Sequence, residues 1–167
     1  PQNPKTPYLS DLFFNTVAIQ RNVMNIALID SDGELLAVST TEGLRDNYSR
    51  FDWFNQALSN PDIHYFSKPH FQDVSFNGEQ IVFSVSKSVE YINNGQSKLG
   101  VLLIDIKTDE FIQLANQTNL GENGHIVILD SNNEFIYASI DNCFDSECMS
   151  VQIVEEIILG GQLEEMN

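Results

Sequence analysis

The chain has 167 residues, 42% of them hydrophobic and 10% aromatic, enough apolar material for one domain or two small ones and too much for a disordered chain. Eight Lys and Arg oppose 24 Asp and Glu, a formal charge of −16; such a field repels nucleic-acid phosphates and anionic lipid surfaces and favours amines, small cations or positively charged partners. No apolar run approaches the ~20 residues of a membrane-spanning helix and no signal-peptide pattern is seen, so the stretch reads as a soluble piece, one that could have been cut from a membrane protein.

The first element is helix-like. Leu9, Leu12, Phe13, Val17, Ile19, Val23 and Met24 recur mostly at three- and four-residue spacings, with Ser10 and Asp11 placed to cap or flank the start, and the expected helix occupies residues 1–24. Residues 25–39, NIALIDSDGELLAVS, follow as apolar run, polar turn and apolar run. That pattern predicts a hairpin, because Asp-Gly accepts positive φ. Asp30-Ser31-Asp32-Gly33 has a superficial likeness to a calcium loop, but Gly stands fourth and Thr41 occupies the place of the twelfth-position acid, so a turn explains it better. A polar loop over 40–49 leads to a short helix at 52–59 bearing Trp53, Phe54, Ala57 and Leu58. Strands are then expected at 71–76, 80–91 and 99–106, joined at Asn77-Gly78 and Asn93-Asn94-Gly95. In the middle strand Ile81, Phe83, Val85 and Val89 alternate with polar residues, which predicts one buried face and one wet face.

The hairpin pattern returns later as residues 125–139, HIVILDSNNEFIYAS, with Ile26/Ile126, Asp30/Asp130, Ser31/Ser131, Glu34/Glu134 and Ser39/Ser139 identical. Two modules of one kind explain the echo; the plainer alternative is that any two hairpins look alike at this level. A helix-like stretch at 109–118 precedes the second copy. A polar segment at 141–150 and a helix-like run at 151–159 follow it. Cys143 and Cys148 stand in that polar segment without a nearby His and not as C-x-x-C, which leaves two free thiols or one short disulfide loop. The element order is that of an α+β, PAS-like arrangement: a long N-terminal helix (1–24), a five-stranded antiparallel sheet with helices on one face (25–107), then a linker helix and an incomplete second lobe (108–167). The space between the sheet and the short helix suits a small molecule. The second lobe lacks three closing strands, so its hairpin edge is either completed by residues of a longer parent or covered by something else.

Asp52-Trp53-Phe54-Asn55-Gln56-Ala57, Lys68-Pro69-His70-Phe71-Gln72-Asp73, Gly100-Val101-Leu102-Leu103-Ile104-Asp105-Ile106 and Gly121-Glu122-Asn123-Gly124 followed by the second hairpin resemble, in order and spacing, the conserved pieces of double Cache sensor domains. These are found outside the membrane in bacterial histidine kinases and chemotaxis receptors. The resemblance implies that the stretch from Tyr8 is a stalk helix with a transmembrane segment upstream, and that a second segment and a cytoplasmic signalling module lie downstream. Members that bind amino acids or amines carry an Arg two residues before the Trp, a Tyr straight after it, and two aspartates. Here Phe51 and Phe54 take those places, Arg50 lies one residue further out, and the two aspartate positions are kept as Asp73 and Asp105. Losing the Arg fork removes a bidentate carboxylate clamp, while the acids still offer an anchor for an ammonium group. An amine or an uncharged small molecule is therefore favoured over an α-amino acid bound in the usual way.

The candidate ligand-binding residues are Trp53, Phe54, Tyr65, His70, Asp73 and Asp105. Trp53 and Phe54 are read either as ligand wall or as core aromatics, Tyr65 and His70 as hydrogen-bonding groups or strand-edge residues, and Asp73 and Asp105 as ligand acids or turn and solvent-facing groups. No catalytic motif, cofactor-binding loop or metal-ligand spacing appears, and the three histidines, His64, His70 and His125, are scattered. The expected role is that of an extracytoplasmic, non-enzymatic ligand-sensing domain of a membrane-anchored bacterial receptor, a histidine kinase first, binding a small molecule in the first lobe and pairing two-fold through its stalk helix. The alternative is a ligand-free protein-interaction or mechanical relay module of such a receptor.

Overall fold

The structure, a computed structural model, describes residues 7–77, 80–109, 112–113, 117–118, 126–129 and 135–139. Residues 1–108 and 109–167 form separate units. Helix α1 spans Pro7–Ile19 and so ends before the expected residue 24. Val23 and Met24 instead open strand β1 (Val23–Asp30). Strand pairing overrides the helical spacing: the Val23 N–H donates to the Gln20 carbonyl at 3.1 Å and the Lys107 N–H to the Asn22 carbonyl at 2.8 Å, and these contacts turn the chain onto its neighbour.

The remaining elements of the first unit are β2 (Leu35–Val38), α2 (Asp52–Ser59), β3 (Tyr65–Phe71), β4 (Ile81–Asn93) and β5 (Gln96–Lys107). The five strands lie in the order β2-β1-β5-β4-β3, every neighbouring pair antiparallel. This is the expected α+β, PAS-like arrangement. The β1–β2 turn depends on Gly33 at φ +85°; the Asp30 carboxylate accepts the N–H groups of Asp32 and Glu34 at 3.0 and 2.9 Å, so it serves the turn. Asn94 and Gly95, at φ +51° and +74°, make the two-residue turn between the paired Asn93 and Gln96, where a mirror-image turn matches strand twist.

Three expectations are corrected. The strand expected at 71–76 is Tyr65–Phe71 instead, with a bulge between Ser67 and His70 around Pro69, a residue that a sheet edge tolerates. Phe71 pairs with Ile81, so the expected two-residue hairpin gives way to a longer connection through Asn77; Gly78 lies outside the described residues. The Gln72 N–H still donates to the Gln80 carbonyl at 2.9 Å, but from Asp73 to Phe76 the backbone is captured by Arg45, Tyr48, the Gln72 side chain and the Gly43 carbonyl and leaves the sheet. The helices, expected on one face, take opposite faces: Leu9 and Phe13 of α1 pack on Leu28, Leu36 and Ala37, whereas α2 packs on Ala27, Ile29, Val101 and Leu103.

The third correction concerns β4. Its buried face is the one with Val82, Ser84, Ser86 and Ser88, and the alternating Ile81, Phe83, Val85 and Val89 are only half-buried. Serine goes inside because α2 supplies acceptors: the Ser86 hydroxyl donates to the Trp53 carbonyl at 3.0 Å and the Ser88 hydroxyl to the Ala57 carbonyl. Side chains on the α2 side form three rungs across β1, β5 and β4. Ile29, Val101 and Ser88 make the first, Ala27, Leu103 and Ser86 the second, and Asn25, Asp105 and Ser84 the third.

In the second unit, β6 (Val127–Leu129) pairs antiparallel with β7 (Phe135–Ala138). Its register, Val127↔Ala138, Ile128↔Tyr137 and Leu129↔Phe135, with an irregularity after Ile128, repeats Ala27↔Val38, Leu28↔Ala37 and Ile29↔Leu35, with one after Leu28. Of the expected helix at 109–118, residues 109, 112–113 and 117 are helical, and 110–111 and 114–116 lie outside the described residues. Cys143, Cys148 and the run at 151–159 lie wholly outside them.

Candidate functional site

Helix α2 starts after Phe51, whose backbone is extended (φ −82°, ψ 140°) and which supplies no side-chain cap. Asp52 in the first turn offers the negative charge that a helix start favours, and its carboxylate accepts the Tyr65 hydroxyl at 2.7 Å. That bond, above all, raises the Tyr65 phenol above its ordinary value. The next residue turns inward. Trp53 is buried, stacked on Phe51 with ring centres 5.7 Å apart and edge-on to Phe54 at 6.2 Å, and its indole N–H reaches Asp73 Oδ2 at 3.0 Å.

Asp73 is presented by a loop locked to the 43–48 segment. Arg45 Nε donates to the Asp73 carbonyl and the Tyr48 hydroxyl to the Val74 carbonyl, each at 2.6 Å. The Phe76 N–H donates to the Gly43 carbonyl at 2.8 Å. Gln72 folds its amide onto Ser75, accepting the Ser75 N–H at 3.1 Å and donating to the Ser75 carbonyl at 2.9 Å, the kind of local bond that competes with strand pairing. Tyr48 is fully buried, and its phenol is pushed up by that burial. The Arg45 guanidinium also covers Phe76 at 4.3 Å and Phe51 at 5.5 Å, while Arg50 covers Phe51 at 4.9 Å. Phe51 thus stands where the resemblance expects an Arg, yet two arginines close on its ring.

His70 ends the bulged part of β3 and faces Asp73 and the third rung. Its Nδ1 lies 2.7 Å from the Lys68 carbonyl; a carbonyl only accepts, so Nδ1 carries a hydrogen. Nε2 lies 3.2 Å from Ser84 Oγ and 3.6 Å from Asp73 Oδ2. Ser84 in turn donates to Asp105 Oδ1 at 2.6 Å, and Asn25 Nδ2 donates to Asp105 Oδ2 at 2.9 Å. Asn25 also approaches Gln72 Oε1 at 3.5 Å, which closes the circuit back to the Asp73 loop.

The two acids differ in access. The side chains of His70 and Asp73 keep 26% and 21% of their surface exposed, whereas Asp105 is 0% exposed with both oxygens already accepting. Desolvation raises the Asp105 carboxyl above its ordinary value, against the opposing pull of the Ser84 and Asn25 donors and the His70 charge. Expected site residues Trp53, His70, Asp73 and Asp105 therefore meet in one chain of contacts. Phe54 lies in the apolar cluster under α2, and Tyr65 is turned toward Asp52. The sequence does not single out Asn25, Arg45, Tyr48, Gln72 or Ser84; the regular serines at 84, 86 and 88 are a visible signal of a distinct face on β4, while the polar loop gives none for Arg45 or Tyr48. Although Ser84, His70 and Asp73 are neighbours, they do not form a nucleophilic triad. The serine proton points to Asp105, the far ring nitrogen meets a carbonyl where a triad places its carboxylate, and Ser84 is buried.

No protein-family model matches the sequence, and no curated protein matches it either. Solved structures do match in fold. An extracellular domain assigned to a histidine kinase, rpHK1S-Z16, aligns with TM-score 0.69 and 19% identity over 88% of this chain and 61% of its own. The ligand-binding domain of the Campylobacter jejuni chemoreceptor Tlp3, in complex with 4-methylisoleucine, aligns with TM-score 0.59 and 18% identity over 84% of this chain and 53% of its own. That of the Pseudomonas aeruginosa amino-acid chemoreceptor PctC, in complex with GABA, aligns with TM-score 0.61 and 14% identity over 91% of this chain and 65% of its own. The chain thus spans less than two thirds of each of these domains. Its fold is the one that these extracellular sensor and ligand-binding domains share.

Proposed function

We propose that this chain is part of an extracytoplasmic ligand-sensing domain of a membrane-anchored signalling receptor, a histidine kinase in the first instance. Its small molecule is held in the first lobe (residues 25–107) at the pole formed by Trp53, His70 and Asp73. The observation that carries the reading is the pairing of a preformed acid with an open approach: Asp73 is fixed by the Trp53 indole and the Arg45-bound loop, yet its side chain stays partly exposed. Such a group suits an ammonium or a hydrogen-bond donor, and the buried Trp53 indole holds it in place from beneath. Phe54, Tyr65 and Asp105 complete the surroundings as core, rim and buried support. Residues 108–167 are read as a linker helix and the start of a second lobe, which the repeated hairpin register supports.

Ligand would act by differential affinity for two arrangements of the 72–77 loop against α2, shifting their populations and with them the placement of α1. The outward Tyr8, Leu12, Phe14 and Ile19 of α1 are exposed and suit two-fold pairing of stalk helices. Neither an enzymatic role nor a resident cofactor is needed for this action. A thermal-shift screen with primary amines, amino acids, carboxylates and sugars tests the reading, since a ligand that binds only the folded state stabilises it by mass action, by about 2.7 kcal/mol at a hundredfold excess over Kd, and so raises Tm. An amine is expected to raise Tm in the wild type, and Asp73→Asn to weaken its binding about tenfold or more. If every class leaves Tm unmoved, the ligand-free interaction module is the better reading.

A further inference from the structure

Two of the three arginines of this acidic chain meet on one aromatic ring. The Arg45 guanidinium lies 5.5 Å and that of Arg50 4.9 Å from the centre of Phe51. Arg45 commits its Nε–H to the Asp73 carbonyl at 2.6 Å and covers Phe76 at 4.3 Å. Among the described residues its Nη groups meet no acceptor, and the exposed Arg50 side chain makes no hydrogen bond. Neither guanidinium is paired there with a carboxylate, although the sequence holds 24 Asp and Glu. Asp52 accepts instead from Tyr65 and Gln56 at 2.7 and 3.4 Å, and Asp73 from the Trp53 indole at 3.0 Å. A guanidinium offers its face to a ring and keeps its N–H groups in its own plane, so the ring contacts leave those donors open. The segment that carries both arginines is fixed. The Tyr48 N–H donates to the Gly33 carbonyl and the Asn47 amide to the Asp32 carbonyl, each at 2.9 Å, and Asn47 Oδ1 accepts the Ser49 N–H at 2.8 Å. Two like charges are thus held against one ring without a counter-charge.

We propose that Arg45 and Arg50, gathered on Phe51, form a binding site for an oxyanion, the carboxylate or phosphate group of a small molecule. An oxyanion beside the Phe51 ring neutralises a repulsion that the fold has built in, and the planar fork of a guanidinium matches two oxygens of one group. Arg45 is already held against two rings and a carbonyl, so it loses little freedom on binding. The field of the whole chain repels anions, which makes this pair of unpaired cations a local exception to it. The inference goes beyond the amine reading and does not rest on it: the Asp73 carboxylate attracts a cation, whereas Arg45 grips the carbonyl of the same residue. Two sources of the oxyanion fit, a free ion or an acidic group on the molecule held at Asp73, and the test separates them.

The chain is titrated with sodium phosphate and, separately, with sodium acetate at constant ionic strength, and the 15N–1H resonances of the three arginine Nε–H groups are read. Arg45 and Arg50 are expected to shift together and saturate with at least one of the two anions, while Arg21, in the turn after α1, stays still. Arg50→Gln removes an exposed side chain that makes no hydrogen bond, so the fold is retained; it should weaken the Arg45 response about tenfold. Arg21→Gln removes the same charge elsewhere and should leave that response unchanged. If neither anion gives a saturating shift, or if Arg50→Gln affects Arg45 no more than Arg21→Gln does, the arginines answer only to bulk salt and net charge, and the proposal is overturned. A straight-chain aminocarboxylate then separates the sources. An Arg45 response tighter than that to acetate, and reduced to the acetate value by Asp73→Asn, makes the oxyanion part of the molecule at the Asp73 pole; an equal response makes it an independent ion. The amine reading fails separately, by the absence of any response of the single Trp53 indole N–H to added amines.

Discussion

The first and third rungs of the sheet are built on the same three strands and face the same side, yet they solve opposite problems. Ile29 and Val101 meet α2 as apolar surface, with Ser88 reaching a helix carbonyl. Four residues away along each strand, Asn25, Asp105 and Ser84 carry polar and ionisable groups to nearly the same depth. In the first rung burial itself stabilises, at about 25 cal/mol per Å² of apolar surface removed from water. In the third rung burial costs free energy unless each polar atom finds a partner, and the rung is therefore wired to His70, Gln72 and, through them, to the Asp73 loop. The apolar part holds the lobe together; the polar part ties its interior to the His70 and Asp73 end.

Removing bulk under α2 is expected to have the largest effect on stability. Phe54 is 2% exposed within the apolar cluster, so Phe54→Ala should destabilise the lobe by about 3–5 kcal/mol in urea unfolding, with the slope of the transition unchanged. A loss below about 1 kcal/mol would mean that Phe54 lines an open wall and is not core, which would erase the contrast between the rungs.

The polar rung should announce itself in the pH dependence. The folded-state pKa of Asp105 is raised above the ordinary 3.8, so between those two values the folded state holds more protons than the unfolded chain. Stability contributed by that group is present at low pH and declines as pH rises from 3.8 through the folded value. Asp105→Asn should flatten this part of the stability–pH curve, measured by denaturant melts at a series of pH values. A wild-type curve that rises across that window, with the variant unchanged, would place the Asp105 shift in the other direction.

How far this division could be read from sequence depends on the range of the interaction. The two hairpins were legible because their turns and alternation are local, and the structure carries the likeness to single atoms: the Ser39 hydroxyl accepts the Ile26 N–H at 3.0 Å, and Ser139 accepts that of Ile126 at 2.9 Å. The Trp53 helix and the Asp73 loop were legible through their resemblance to a family pattern. Three features were not. Alternation along β4 reports that two faces differ and leaves open which is buried, because serine becomes an interior residue once a helix brings carbonyls to it. The end of α1 was decided by strand β5, far along the chain. Arg45 and Tyr48 gave no local sign because their partners are carbonyls of a loop that folds onto them.

The smallest effects distinguish the serines of β4 from one another. Ser84→Ala removes a donor from a buried carboxyl and should cost about 1.5–3 kcal/mol, the range for hydrogen bonds to charged groups. Ser88 reaches the Ala57 carbonyl, one of the last carbonyls of α2, which have no intrahelical N–H to accept; Gln56 next to it is met by the Asn60 N–H at 3.1 Å. Ser88→Ala therefore strands an acceptor and should cost about 1 kcal/mol. Ser86 reaches the Trp53 carbonyl at 3.0 Å, but that carbonyl belongs to the first turn and keeps the N–H of Ala57 four residues on, so Ser86→Ala should cost no more than about 0.5 kcal/mol, the low end for a neutral bond. Urea midpoints of the three variants at one pH check the order Ser84, Ser88, Ser86. Equal losses at all three would mean that serine is selected on this strand for its small volume alone, and that the third rung carries no energy of its own beyond that of its neighbours.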